Sequence, residues 1–172
     1  MGAGILPVSL YRGSVYILLG QERYNNLWGD FGGSHIKGED NFTTAIREGS
    51  EELNGLLGNK NKLKKKVNEN IIVTISNTND KYKSYIFNLK YDKNLVEYFD
   101  NLNSFIEEYL KDKIDNDHNG LFEKKTIKWF NINYFNNKEN FKIIRPHYKS
   151  IIETVYKRQN FVKSEIIDKT NN

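Results

Sequence analysis

The stretch GSHIKGEDNFTTAIREGSEELNG, residues 33 to 55, constrains this chain more than any other. Three carboxylates, Glu48, Glu51 and Glu52, stand at positions i, i+3 and i+4, so in a helix they leave from one side. Phe42, Ala45, Ile46, Gly49 and Leu53 recur at intervals of three and four and predict the buried face of that helix, with Asp40 or Asn41 capping its start. Gly49 falls on the buried face, where it permits close packing on a sheet at a cost of about 1 kcal/mol relative to Ala. Ahead of it, YNNLWGDFGG supplies glycines where the chain changes direction. The order is strand, glycine-rich loop, acidic helix. Clustered carboxylates repel one another unless a cation or solvent compensates them, which leaves a solvated acidic face or a set of hard oxygen donors for a divalent ion.

The flanking segments supply a sheet and further helices. GILPVSLY and SVYILLGQE, split by Arg12 and Gly13, predict a tight hairpin. IIVTIS (71–76) and YKSYIFNLKY (82–91) predict a second strand pair joined through NTND. Residues 94–114 carry Leu95, Phe99, Leu102, Ile106 and Leu110 at helical spacing. KTIKWFNI reads as a strand, and RPHYKSIIETVYKRQ as a helix with Pro146 in its first turn. Beyond Phe161 the chain is polar and expected to fray. No repeat or linker divides it, so the expectation is one domain over residues 1–160 and a polar tail over 161–172.

Composition excludes several classes. With no cysteine there is no disulfide framework, thiolate nucleophile or zinc-thiolate site. His35, His118 and His147 are too scattered for a zinc cluster. No apolar run approaches the roughly 18 to 20 residues needed to cross a bilayer, and MGAGILPVSLY lacks the pattern of a signal peptide, so no membrane partner and an intracellular, cytoplasmic location are expected. The net charge of +4, from 26 basic and 22 acidic side chains, favours anionic partners only modestly. Its densest part, KNKLKKK at Lys60 to Lys66, reads first as a solvated loop and second as a phosphate contact.

Gly33, Glu39, Arg47, Glu48, Glu51 and Glu52 have the spacing G-x5-E-x7-R-E-U-x-E-E-x-G-U, where U is a bulky aliphatic residue. This resembles the Nudix box. Gly49 departs from it at the first U, Asn54 at the later Gly and Gly55 at the last U, and Asn can still take a left-handed helix-end conformation. The resemblance extends over residues 3–158 through the hairpin, WGDFGG, the second strand pair, EKKTIKWF and the closing helix. It implies an α/β/α sandwich with a mixed central sheet, and a hydrolase that directs water at phosphorus in a diphosphate compound using Mg2+ or Mn2+.

The resemblance also implies roles. Glu48, Glu51 and Glu52, with Gly32, would hold metal. Arg47 would orient the carboxylates, and Gly33 and Glu39 would be structural. Glu123, ahead of the TIKWF strand, would be a further catalytic carboxylate and the candidate general base, with Glu51 the alternative. Lys37, Trp28, Phe31 and His35 are substrate-facing candidates, although exposure to solvent explains Lys37 better and packing beneath the loop explains the two rings at least as well. Implied partners are a phosphate-rich small molecule, such as a nucleoside diphosphate derivative, a dinucleoside polyphosphate or a diphosphoinositol polyphosphate, or else capped RNA. A homodimer is one implied state. A nucleotide- or RNA-binding module on the same fold is the non-enzymatic alternative.

Overall fold

A computed structural model describes residues 1–116 and 120–171, so His118 lies outside the described residues. The first hairpin forms as its turn dictates. Strands β1 (Gly2–Tyr11) and β2 (Ser14–Glu22) pair antiparallel with Tyr11 opposite Ser14. A two-residue turn of this kind needs a left-handed backbone at both central positions. Arg12, at φ 48°, and Gly13, at φ 77°, adopt it.

The chain continues through β3 (Trp28–Gly29) and β4 (Phe31–Ser34), then helices α1 (Asn41–Glu52) and α2 (Lys60–Asn70). Next come β5 (Ile71–Ser76), β6 (Tyr82–Asn88), α3 (Leu95–Tyr109), α4 (Lys111–Asn116) and β7 (Lys124–Asn131). Three 3-10 turns lead to α5 (Lys149–Lys157) and α6 (Gln159–Asn171). β1 is the hub of a mixed seven-stranded sheet. Its first residues pair antiparallel with β4 along one edge and parallel with β6 along the other, while β5 extends the sheet beyond β6 and β7 extends it beyond β2.

Period-two alternation divides the sheet into two apolar faces. Ala3, Ile5, Leu18, Phe87, Ile127 and Trp129 face a core shared with α1, α2 and α3. Leu6, Val8, Ile17, Leu19, Ile86 and Phe130 face a second core shared with α5 and α6. The result is the expected α/β/α sandwich. Asp40 caps α1, its carboxylate accepting from the Thr43 amide at 2.7 Å. Gly49 brings α1 onto β1 so closely that a Cβ there would lie 2.5 Å from Ile5 Cδ1. Gly49→Val should therefore destabilise the protein by about 1–3 kcal/mol in urea unfolding, the usual range for overpacking.

Four segments differ from expectation. Lys60 to Lys66 is not a loop: it opens α2, capped by Asn59, whose side chain accepts from the Lys62 amide at 3.0 Å. Leu63 and Val67, one turn apart, are fully buried and dock α2 while most of its lysines stay in solvent. The helix expected over 94–114 is interrupted at Leu110, and its stripe is buried at Phe99 and Ile106 but includes a buried polar residue, Asn103. The stretch beyond Phe161 is helical, because Val162 and Ile166 give α6 a narrow buried edge. Pro146 starts a 3-10 turn rather than the α-helix, which begins at Lys149.

Candidate active site

Arg47, on α1, organises the acidic helix against the glycine loop. Its Nε donates to Glu39 Oε1 at 2.8 Å and its Nη2 to Glu39 Oε2 at 3.1 Å, a paired geometry that fixes the guanidinium plane. Nη2 also donates to the Ser34 carbonyl at 2.9 Å, and Nη1 reaches Glu48 at 2.9 Å and Glu51 at 3.1 Å. The Arg47 hydrogen bonds, joined by that of Thr44, hold the Glu39 carboxyl down to about 2. Glu39 thus anchors the residue that anchors the carboxylates. Because its folded value lies below the unfolded one, its contribution is full above about pH 4.5 and is lost as pH falls toward 2. Glu39→Gln should cost about 2 kcal/mol at pH 7, after allowance for solvent screening, and flatten the acid limb of stability measured by urea midpoints from pH 2 to 7.

The three box carboxylates meet different surroundings. Glu48 lies against the backbone of β4, where a Cβ on Gly33 would sit 2.5 Å from its Oε1. Burial pushes the Glu48 carboxyl up, Arg47 opposes this, and repulsion from Glu51 and Glu123 adds to it. Glu51 takes Arg47 on one oxygen and Lys60 Nζ, at 3.1 Å, on the other. Glu52 is 2% exposed. Its Oε2 accepts from the Gly32 amide at 2.6 Å, and its Oε1 pairs with Lys124 Nζ at 3.0 Å. Burial, partly offset by Lys124, pushes the Glu52 carboxyl up to about 8.

Lys124 begins β7 and is wholly buried, as is its stem alongside Gly20. Its ammonium also meets Glu22 at 2.5 Å, and Glu22 in turn accepts from Arg145 Nη1 at 2.7 Å. Burial works against the Lys124 charge, but the two carboxylates outweigh it and raise its pKa. Sequence reasoning missed Glu22, Lys124 and Arg145. Their partners lie across the sheet, 102 and 123 residues away, and no local pattern marks them.

Glu123 is exposed beside this group, with its charge felt at both Glu48 and Glu52. The substrate-facing candidates divide. Phe31 is corrected: it is fully buried in the core beneath α1 and offers no stacking face. Trp28 is partly buried, edge-on to Phe130 with ring centroids 5.0 Å apart. Lys37 is exposed on the loop before α1. His35 buries an Nε2 that has no hydrogen-bond partner.

A cavity of about 350 Å³ opens on the other side of β4, lined by Gly32, Gly33, Lys81, Tyr82, Arg145 and His147 among others, with no acidic side chain among its described lining residues. Burial and the neighbouring Arg145 lower the His147 pKa, which favours the neutral imidazole. An anion-friendly cavity and an acidic helix thus share one strand, Phe31–Ser34.

Hard carboxylate oxygens at Glu48 and Glu51, with Gly33 leaving room for the Glu48 carboxylate, are suited to a divalent ion. The three box carboxylates do not close into one ligand set as the side chains stand. Glu52 directs both oxygens to Gly32 and Lys124, and no group of three or more acidic or His side chains is poised for a metal among the described residues. Across the group, Glu22, Glu39, Glu48, Glu51, Glu52 and Glu123 face Arg47, Lys60, Lys124 and Arg145, six carboxylates to four cations.

The sandwich topology with this glycine loop and acidic helix defines the class: the chain has the Nudix hydrolase fold. It is similar to a C. elegans Ap4A hydrolase solved as a binary complex, with TM-score 0.55 and 20% identity over 95% of this chain and 99% of that one. A second C. elegans Ap4A hydrolase structure matches with TM-score 0.50 and 19% identity over 94% of this chain and 96% of that one. A bifunctional NMN adenylyltransferase/ADP-ribose pyrophosphatase from Francisella tularensis, complexed with AMP and a Mn ion, matches with TM-score 0.57 and 15% identity over 91% of this chain and 41% of that one. No family model matches the sequence, and no curated protein does.

Proposed function

We propose that the protein is a Nudix-type pyrophosphohydrolase that cleaves the diphosphate linkage of a phosphate-rich nucleotide compound. The observation that carries this reading is the Arg47 bracket, which holds Glu48 and Glu51 on one side of β4 while the cationic cavity opens on the other. Glu48, Glu51 and Glu52, with backbone oxygen at Gly32, would hold Mg2+ or Mn2+. Such an ion neutralises phosphate charge and acidifies water. Arg47 keeps the carboxylates in register. Lys81 and Arg145 draw phosphate groups toward β4, and His147 adds a neutral imidazole. Glu123, with Glu51 the alternative, takes the proton from the attacking water.

The similar solved proteins named for Ap4A and ADP-ribose favour a dinucleoside polyphosphate or a nucleoside diphosphate derivative as substrate. A second reading, cleavage of capped RNA, has one observation of its own: α2 presents exposed lysines and its Lys60 already reaches Glu51, so a basic helix stands at the rim of the site.

The test is a panel of dinucleoside polyphosphates, nucleotide sugars, nucleoside triphosphates, a diphosphoinositol polyphosphate and capped RNA, each incubated with Mg2+ or Mn2+ and resolved by mass. One class should be cut within its phosphate chain, and a chelator should abolish the cutting. Cleavage of none by folded protein would overturn the proposal. Cleavage of capped RNA alone would select the second reading.

A further inference from the structure

Asn54 occupies the position where the box pattern has glycine, two residues after Glu52, at the exit of α1. Its φ of 51° is left-handed. Glycine takes that conformation without strain, whereas an L side chain there costs on the order of 1 kcal/mol. Asparagine is among the side chains that tolerate it best, and this one makes use of both ends of its amide. Asn54 Nδ2 donates to Asn103 Oδ1 at 2.8 Å, and Asn54 Oδ1 accepts from the Phe122 amide at 3.1 Å. Asn103, 5% exposed on α3, donates its own Nδ2 to the carbonyls of Lys124 and Lys125 at 3.0 and 3.1 Å.

The donors and acceptors in this chain of contacts determine one another. The Phe122 N–H can only donate, so Asn54 must offer oxygen there and nitrogen to Asn103. Asn103 then offers oxygen to Asn54 and nitrogen to the two carbonyls, and reversing either amide would set donor against donor or acceptor against acceptor. The clasp spans Glu123, gripping the backbone before it at Phe122 and after it at Lys124 and Lys125. A third element closes from the opposite side. The Arg23 amide donates to the Glu123 carbonyl at 3.0 Å, Arg23 Nε donates to the Phe122 carbonyl at 3.0 Å, and the guanidinium lies 3.5 Å from the centre of the Phe122 ring. The segment also presses on the acidic helix itself: a Cβ on Gly120 would lie 2.7 Å from Glu51 Cβ. Phe122 is itself held at φ 65°, a conformation that persists only where its surroundings fix it.

We infer that Asn54, acting with Asn103, is a positioning residue that joins the exit of the carboxylate helix to the start of β7 and so fixes Glu123 beside Glu48 and Glu52. The same clasp places Lys124 on Glu52. The glycine of the box pattern would allow the same helix exit but could form neither side-chain bond. The inference rests on the hydrolase reading, in which Glu123 serves the reaction, and it assigns the Asn54 side chain a task that the box pattern leaves unassigned.

The informative variant is Asn54→Gly, which keeps the left-handed turn and removes only the clasp. With the substrate found by the panel, it should lower kcat by about 10- to 100-fold with KM unchanged, since small displacements of a reacting group carry penalties of this size. In a Glu123→Gln background the same change should cost almost nothing, because the residue it positions is already disabled. An equal loss in both backgrounds, or a rise in KM alone, would overturn the inference. Hydrogen exchange of the full chain supplies a readout without substrate: Asn54→Gly should speed exchange at the Phe122 amide while leaving the centre of β7 protected. Unchanged exchange at Phe122 would overturn the clasp. Should wild type cleave no diphosphate, the proposed function fails by that result alone. The clasp is then decided by hydrogen exchange at the Phe122 amide alone, which needs neither substrate nor metal, and unchanged exchange there would overturn it.

Discussion

Lys124→Met should lower the stability of the protein by about 3–5 kcal/mol in urea unfolding at pH 7, the range for breaking a buried ion pair by removing one partner. Lys124 is wholly buried and holds Glu22 at 2.5 Å and Glu52 at 3.0 Å. Met matches the length of the stem beside Gly20, so the deficit reads the lost charge rather than a cavity. The two carboxylates are not left equally bare. Glu22 keeps Arg145 at 2.7 Å, whereas Glu52 keeps only the Gly32 amide. Glu52, whose carboxyl is already pushed up to about 8, stays protonated at pH 7 without Lys124, so its share of the deficit should appear above about pH 8, where adding Glu52→Gln should recover it and adding Glu22→Gln should not. A Lys124→Met deficit below 1 kcal/mol would show that water reaches the group and screens it.

On the proposed metal-dependent hydrolysis, Glu51→Gln should reduce turnover by about 1000-fold, because losing a carboxylate that would hold the metal removes several kcal/mol of transition-state stabilisation. Stability should change by less than about 1 kcal/mol, since the side chain is partly exposed and Arg47 retains Glu39 and Glu48. This separation makes Glu51 a cleaner probe than Glu52, whose replacement also disturbs the Lys124 pair and would mix folding with chemistry. The measurement is kcat with saturating Mg2+, paired with a urea midpoint. Activity within threefold of wild type would remove Glu51 from the site.

The parts legible in the sequence are those written in local pattern. Arg12 and Gly13 between two β-branched runs specify a hairpin, and Asp40 followed by the Ala45, Ile46, Gly49 and Leu53 stripe specifies α1, because turn chemistry and periodicity act over a few residues. The box spacing located Arg47 and its carboxylates in the same way. Two helices escaped because their buried edges are only two residues wide: Leu63 and Val67 in α2, Val162 and Ile166 in α6. Amid lysines and asparagines such an edge is faint, and docking on an existing core completes what propensity alone would not. Phe31 looked available because it borders the glycine loop, yet strand alternation turns it inward beneath α1. Lys124 offered no signal at all: in EKKTIKWF it stands beside Lys125, which is exposed, and only the partners brought by β2 and α1 distinguish the two.

The place of β1 at the hub of the sheet sets the order in which this chain can be completed. Its hairpin with β2 closes through a two-residue turn, but the parallel partner of Gly2–Val8 is Tyr82–Asn88, and the outer partner of Tyr16–Glu22 is Lys124–Asn131. Closing such long loops before any contact rewards them is slow, so folding belongs with the millisecond-to-second topologies rather than with helical bundles. The open edge of β1 waits for β6, complete at Asn88, and the outer edge of β2 waits for β7, complete at Asn131. Unpaired edges of this kind invite pairing with other chains.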